Sequence, residues 1–537
     1  MTINLPSLPA WGSNTEHLQN EYAEHFSLLE GDTEGRVAAQ GYLNNSTAVY
    51  HDEVIGMGYL PKLYDEAAIT HFSEIVKQTY TLLQKITLQF IEDAEYRALF
   101  KFSPLLEKMI LLPNTYDCTI PISRIDLFLD ETNGDFKFCE FNTDGTSAMN
   151  EDREVCDALA TTDILKSFAT HHTVMAQELF DPWIETFIRI LDSSSLSVPD
   201  PVIAIVDYTE SAVLAEQKEF QKRFALQGIT CLVVDVATLK YVDGALYGRD
   251  ISELHPAHSI PFRIDAVYRR AVTLELLREL ETDQALATEI LSSAVATSGA
   301  SASSAAASSQ SDRPLRGAFA LLAAVAQQKI CMIGSFATQV AHSKTSFCLL
   351  HHPKTQIFLT EEERAFVQDH VPYTSWLNTN CVDIEAVKKE PHAWIIKPAD
   401  GYGSKGVYAG KNFEDAEWAR LVDEKLLDDY IIQEYCPQFQ ALNTLPVPNN
   451  TEGKPLFNNA AEATFLADQG GYDAKELQPY NILTGLYCYS GNLGGIYVRG
   501  GQDAIIVGFR GGITLGSLLV DFVPSSKLTL LSRPIMK

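Results

Sequence analysis

Basic residues are scarce in this chain. Its 537 residues hold 41 lysines and arginines against 70 aspartates and glutamates, a formal charge of −29. A surface built to grip nucleic-acid phosphates needs the opposite balance, so no nucleic-acid partner is expected. The acidic excess has two readings, a field that draws in a cationic substrate such as a polyamine, or ordinary acidic solubility. The nine cysteines form no C-x-x-C pair, and a chain of this size needs no staples, so reduced, buried thiols are expected, with Cys139 a core residue rather than a nucleophile. Long apolar runs are missing too. The segment from Leu315 to Ile333 is broken by Arg316, Gln327, Gln328 and Lys329, which excludes a span there. The first eleven residues carry neither a basic nor an apolar leader region, so no signal peptide is readable and a cytoplasmic enzyme is expected. His342, His351 and His352 lack a third ligand at zinc spacing. There is no internal repeat. What is present is ordinary globular composition, 46% hydrophobic and 21% charged, in a length that calls for two or three domains.

The most informative segment runs from Ser123 to Asn142. Ile125, Leu127 and Leu129, then Phe136, Phe138 and Phe141, read as two strands around the turn signal Thr132-Asn133-Gly134. A three-residue loop with Gly134 left-handed would set Asp126 opposite Glu140 and Arg124 opposite Asn142, all on one face. Two carboxylates and an amide oxygen so placed would suit a hard cation such as Mg²⁺, and the adjacent arginine a phosphate. The alternative is a half-solvated hairpin with its charges outward.

A second segment, Trp394 to Tyr408, has a short apolar strand delivering Lys397 and stopped by Pro398. A loop containing Gly401, Gly403, Ser404 and Gly406 follows, whose bare N–H groups suit phosphates. It is neither a Walker A loop nor a glycine fingerprint opening a dinucleotide-binding helix, and a plain surface hairpin is its other reading. Some thirty residues on, Tyr430 to Tyr435 reads as a buried strand ending in Gln433, Glu434 and Tyr435.

Strand, lysine, glycine loop and a strand ending in Gln-Glu-Tyr together resemble the nucleotide-binding part of the ATP-grasp ligases. The Glu-x-Asn pair at Glu140 and Asn142 precedes these elements by more than two hundred residues, where most of that superfamily has it after them. That inversion, with Arg-x-Asp on the partner strand, resembles the circularly permuted ATP-grasp group typified by glutathionylspermidine synthase. The resemblance implies metal ligands at Asp126, Glu140 and Asn142, a phosphate-stabilising arginine at Arg124 and a late one at Arg499, with Arg510 the rival for the second role. It implies nucleotide contacts at Lys344, Lys397, the glycine loop and the Gln433 to Tyr435 strand end. Thr146 and Ser147 would meet the acyl donor, although the family's Pro-Thr is absent here. Glu275 would face a cationic acceptor, with an exposed helical glutamate as its other reading. The implied cofactors are ATP and Mg²⁺, and the implied partners a small carboxylate donor and an amine.

Along the chain, residues 14 to 110 read as helices, and a helical pattern runs again from Ala158 to Ile190. Strands at 201 to 207 and 230 to 235 with a helix between them, then another at 264 to 270, open an α/β domain. Its first strand is followed by no glycine loop, so a dinucleotide site is not expected there. The expected fold is α/β, a permuted ATP-grasp with a pre-ATP-grasp domain. Its divisions are 1–195 with the metal motif, 196–350 with a Ser/Ala-rich flexible insertion at 296–314, and 351–537 with the nucleotide subdomain. Residues 443–478 read as a polar insertion or a disordered loop, and Thr360 to Arg364 as a capped helix start. The resemblance implies an ADP-forming ligase joining a carboxylate to an amine through an acyl phosphate, with the glycine loop closing as a lid. Two alternatives stay open: a peptide or natural-product ligase with a non-polyamine acceptor, and a non-catalytic nucleotide binder on the same fold. The family's N-terminal cysteine amidase domain is not expected here, since the first cysteine is Cys118.

Overall fold

The computed structural model describes residues 8–50, 53–254, 260–297, 314–401, 403–426, 429–446, 476–506, 512–523 and 532–535. Nearly all of the 296–314 insertion and most of the 443–478 one lie outside the described residues, as do Arg510 and position 402 of the glycine loop. The fold is mixed α/β. No described helix is long and apolar enough to cross a membrane.

A long antiparallel sheet forms the centre. Its strands run in the order Ile513–Leu515, Asn492–Gly501, Gln478–Tyr489, Ile122–Leu129 and Phe136–Asn142, with Gln440–Asn443 pairing on Gln478–Tyr489 as well. The hairpin near residue 130 is therefore fused to strands from the far end of the chain, more than 350 residues away. The 27-residue helix Glu66–Glu92 lies across this sheet. Its apolar residues Ile69, Phe72, Ile75, Val76, Leu83, Ile86 and Phe90 recur every three or four positions and are all buried, and the Asp65 carboxylate caps its start by accepting the Ala68 N–H.

A parallel sheet stands beside it, ordered Cys331–Ile333, Ala266–Arg269, Ile203–Asp207 and Cys231–Asp235. Its strands are short, apolar and buried along nearly their whole length, as expected where helices cover both faces. A smaller antiparallel sheet, Thr374–Trp376, Tyr430–Glu434, Trp394–Pro398 and Tyr408–Ala409, has its own core of Leu377, Val387, Ile396, Trp418, Val422 and Ile432. The capping box expected at Thr360 is formed with Glu363 and opens helix Glu361–His370.

Two helical readings need correction. Residues 49–50 and 53–64 are largely extended, with strand Lys62–Tyr64 in a further mixed sheet, and Val174–Gln177 is a strand between helices, not part of one. Val174–Gln177 is held by Ser517–Val520 and Ser532–Pro534, partners so distant that local periodicity carries no sign of them. All nine cysteines are free thiols.

Candidate active site

The hairpin Ile122–Leu129/Phe136–Asn142 places Arg124 opposite Asn142 and Asp126 opposite Glu140, the pairing the sequence predicts, but by another route. The turn is one residue longer than expected. Asp130 N–H donates to the Asp135 carbonyl, with Gly134 left-handed at φ 81°, so Leu129 faces Phe136 and the register is initially off by one. A bulge at Cys139 restores it between Leu127/Phe138 and Asp126/Glu140. Without that extra residue Glu140 and Asn142 would share the core face with Phe136 and Phe138. With it they turn into the cleft, and Phe141 returns to the core to stack on Phe347.

Asp126 is fully buried beneath this face and Arg124 grips it with two hydrogen bonds, Nε to Oδ1 at 2.6 Å and Nη2 to Oδ2 at 2.9 Å. The third arm, Nη1, donates to the Ser147 carbonyl at 3.0 Å. Ala148, next in the chain, is held at φ 84°, a conformation costly for a residue with a Cβ, and the surrounding contacts sustain it. Arg499 Nη2 reaches Asp126 Oδ2 at 3.1 Å. Arg499 lies within Asn492–Gly501, between Leu483 and Thr514. Tyr497 is flanked by both guanidiniums, 5.2 Å from Arg124 and 5.7 Å from Arg499, and its hydroxyl donates to Glu151. Gly485, opposite Asp126 on the next strand, lets the pair lie flat: a Cβ there would stand 2.7 Å from Arg124 Cδ and 2.9 Å from Asp126 Oδ1.

Lys344 and Lys397 enter from other elements. Lys344 opens helix Thr345–Leu350 with its side chain largely buried, and its Nζ donates to the Gly401 carbonyl at 2.8 Å. Lys397 bonds Gln433 Oε1 at 2.7 Å and the carbonyl of the bulged Cys139 at 3.2 Å, so the bulge also joins the two sheets. Gln433 donates onward to Thr374 Oγ1 at 2.9 Å. The glycine loop is left-handed at Gly403, Ser404 and Gly406, and a Cβ on Gly406 would meet the Tyr430 hydroxyl at 2.8 Å. Asp400, at its root, accepts from Gln339 Nε2 through both oxygens.

These groups face one cavity of about 1010 Å³. Every site residue expected from the sequence lines it except Asp126, buried behind Arg124, and Gly406. Glu140 feels burial, which would raise its carboxyl, but Lys344, Arg499, Lys397 and Arg124 outweigh this and hold it at about 2. Burial pushes the Cys139 thiol up to about 12, so it is no nucleophile at neutral pH. Thr146 Oγ1 accepts no role of its own here beyond donating to the Asn142 carbonyl at 2.7 Å, which tightens the loop after the hairpin. Asp144 extends that loop's anchorage with an ion pair to Arg269 at 2.6 Å and a bond from the Thr273 N–H at 2.7 Å. Glu434 is exposed at its strand end, and the Tyr435 hydroxyl donates to Gln438. Glu275 is half-buried and accepts from Ser211.

One acidic part of the cavity wall was missed in the sequence. There Asp207, Glu210, Asp235 and Glu279 join Glu275, with Arg278 at the rim. The acids at the ends of strands Ile203–Asp207 and Cys231–Asp235 were visible signals, as was a lone glycine, Gly485, inside an apolar strand.

Glu140 and Asn142 suit a hard divalent cation: an ionised carboxylate and an amide, 3.3 Å apart through Asn142 Nδ2, both facing the cavity. Asp126 Oδ2 already accepts from Arg124, Arg499 and Asn142, so it would join only by exchanging one of them. Among the described residues no three His, Cys, Asp or Glu side chains are gathered as a metal centre.

No family model and no curated protein matches the chain. Among the solved structures similar to it are the following. A glutathione synthetase-like effector from Globodera pallida is 10% identical over 90% of this chain and 95% of its own, with TM-score 0.48. A putative gamma-glutamylcysteine synthetase from Methylobacillus flagellatus is 10% identical over 82% and 86%, with TM-score 0.31. The D-cycloserine synthetase DcsG is 13% identical over 60% and 92%, with TM-score 0.25.

Proposed function

We propose that this chain is an ATP-dependent carboxylate–amine ligase with a circularly permuted ATP-grasp arrangement, akin to glutathionylspermidine synthase. The observation that carries the reading is the gathering of Arg124, Lys344, Lys397 and Arg499 around Glu140 and Asn142 at one end of a single cavity, with a carboxylate-rich pocket at the other. Four cations gathered at one wall call for a polyanion, and a nucleotide triphosphate fits both the charge and the space.

In this reading the base lies between the two sheets, against Ile395 and Leu483, with its edge toward Gln433, Glu434 and Tyr435. Lys344 and Lys397 hold phosphates, and Lys344 leaves the Gly401 carbonyl to do so, which couples the glycine loop to nucleotide arrival. Mg²⁺ carried by Glu140 and Asn142 would supply charge neutralisation along the phosphates. Arg124 and Arg499, already oriented by Asp126 and Tyr497, bind the phosphoryl group as it passes to the donor carboxylate beside Thr146 and Ser147. The activated carbonyl is then attacked by an amine whose positive charge is drawn to the pocket of Glu275, Asp207 and Asp235. A polyamine suits that pocket best. No Ser-His-Asp or Cys-His arrangement is required.

The test is Mg²⁺-dependent ADP release measured across donors, including glutathione and short peptides, and amines, including spermidine. ADP release requiring one donor and one amine together, and absent in Glu140→Ala, is the expected result. Tight ATP binding without turnover for any pair would overturn it in favour of a nucleotide-binding protein.

A further inference from the structure

The pocket at the acidic end contains one carboxylate unlike its neighbours. Asp207 ends the strand Ile203–Asp207, at the carboxyl edge of the parallel sheet where open α/β sheets bind ligands. It is 8% exposed yet lines the cavity. Its orientation is fixed from both sides: Oδ1 accepts the Tyr208 N–H at 2.9 Å and Oδ2 accepts Gln217 Nε2 at 2.7 Å. Each oxygen keeps a second lone pair.

The other buried acids nearby are each committed. Glu216 is paired with Arg270 at 2.8 Å and also accepts the Met149 N–H at 2.7 Å. Asp144 is paired with Arg269, and Glu279 accepts from the Tyr208 hydroxyl and the Ala318 N–H, both inside the protein. Asp207 has no ion-pair partner among the described residues. The charged and titratable groups around it are Arg270 and Tyr268 on and after strand Ala266–Arg269, Glu275 on helix Thr273–Leu280, Glu216 on helix Leu214–Leu226, and Asp235 opposite it on the next strand. Burial is the largest influence on its carboxyl and Glu275 adds to it; Arg270, Tyr208 N–H and Gln217 pull the other way, leaving it at about 7.

We propose that Asp207 is the catalytic base of the second half-reaction, accepting a proton from the acceptor's ammonium so that the amine can attack. The inference rests on the ligase reading above. An amine drawn to this pocket arrives as R–NH₃⁺, which has no lone pair. One N–H bond breaks and its proton passes to an Asp207 oxygen. The freed lone pair forms the C–N bond at the acyl carbon, the C–O bond to phosphate breaks, and phosphate leaves with that electron pair. The nitrogen's surplus proton goes to the departing phosphate, and Asp207 returns its own to solvent. A group titrating near the working pH is suited to this exchange.

Hydroxylamine separates this step from the rest, because it is already uncharged at neutral pH and traps an activated carbonyl without a base. The full-length protein is supplied with ATP, Mg²⁺ and the donor panel, and hydroxamate and spermidine-amide formation are measured side by side. In Asp207→Asn we expect hydroxamate formation to persist, while amide formation falls roughly 100-fold or more and loses its rise through neutral pH. Gln217→Leu is the second variant. It removes a hydrogen bond that favours the ionised carboxylate, so the rise should move to higher pH. Equal loss of both products in Asp207→Asn with ATP binding intact overturns the assignment, and so does equal retention. Failure of the unaltered protein to give hydroxamate with any donor overturns the ligase reading itself, and this inference with it.

Discussion

Two buried ionic clusters lie close together in the fold, and they differ in how their charges balance. Lys62 and Glu131 form a closed pair, with side chains 1% and 4% exposed, and neither lines the large cavity. Arg124 and Asp126 are buried almost as deeply, 8% and 1%, but their cluster continues through Arg499, Lys344 and Lys397 to Glu140 at the cavity wall. Counting Glu151 and Asp400 the acids number four as well, but burial pushes both of those carboxyls up, Asp400 to about 7, so they offset the cations only in part. The closed pair balances its own charge and serves the fold. The open cluster is left with positive charge at a cavity wall, an arrangement that pays in stability for an anion to come.

That contrast is broken most sharply by comparing one deletion in each cluster. Glu140→Ala should abolish turnover, a loss on the order of 10²-fold or more from the lost charge organisation, while the protein still folds and melts cooperatively. Lys62→Met should do the reverse. It strands a buried carboxylate and costs about 3–5 kcal/mol of unfolding free energy by denaturant titration, with nucleotide affinity kept in the fraction that folds. Equal stability losses in the two variants would show that the clusters do not differ in kind. Arg124→Lys comes next. It keeps the charge but loses the fork that binds Asp126 twice and the Ser147 carbonyl once, and we expect a loss of about 3 kcal/mol in the transition state, measured as kcat/KM. Gly485→Ala reaches the same pair from behind. Its Cβ would stand 2.7 Å from Arg124 Cδ, so a stability loss of about 1–3 kcal/mol and a fall in kcat are expected together.

The open cluster was largely legible in the sequence because hydrophobic parity exposes it. Phe136 and Phe138 share a face by period two, and Phe141 breaks that period by one residue, a mark of the bulge that the three-residue loop reading absorbed into the turn. The predicted partners were right although the turn was one residue short, since the bulge compensates. Lys397 was readable from its strand and the glycines after it. Gly485 stands out as a lone glycine in an apolar strand, but its reason does not, because that comes from a side chain on a neighbouring strand some 360 positions away. The same holds for strand Val174–Gln177, four residues long and defined by partners near the C-terminus. Asp207 is visible as an acid ending an apolar strand, but its company is legible only once the parallel sheet is assembled, when the ends of two strands meet helix Thr273–Leu280 around one cavity.

The smallest expected effect separates the two ends of that cavity by the sign of their response to pH. Glu140 has a carboxyl held at about 2 in the fold against 4.5 unperturbed, so the folded state binds its proton less tightly than the unfolded one does. Its contribution is fully present above about pH 4.5 and is lost as pH falls through about 2, with an upper bound of about 3 kcal/mol. Asp207 is raised from 3.8 to about 7, so the folded state binds its proton more tightly. Its contribution is greatest below pH 3.8 and declines as pH rises through about 7. Melting temperatures of Glu140→Gln and Asp207→Asn, each taken relative to the unaltered protein across pH 3 to 8, should therefore diverge. The Glu140 variant should be relatively less stable at neutral pH and converge on the parent in acid. The Asp207 variant should gain relative to the parent as the pH rises, since it no longer has to ionise a carboxyl that the protein buries. Two curves tilting the same way would mean that the cavity has no basic and acidic ends.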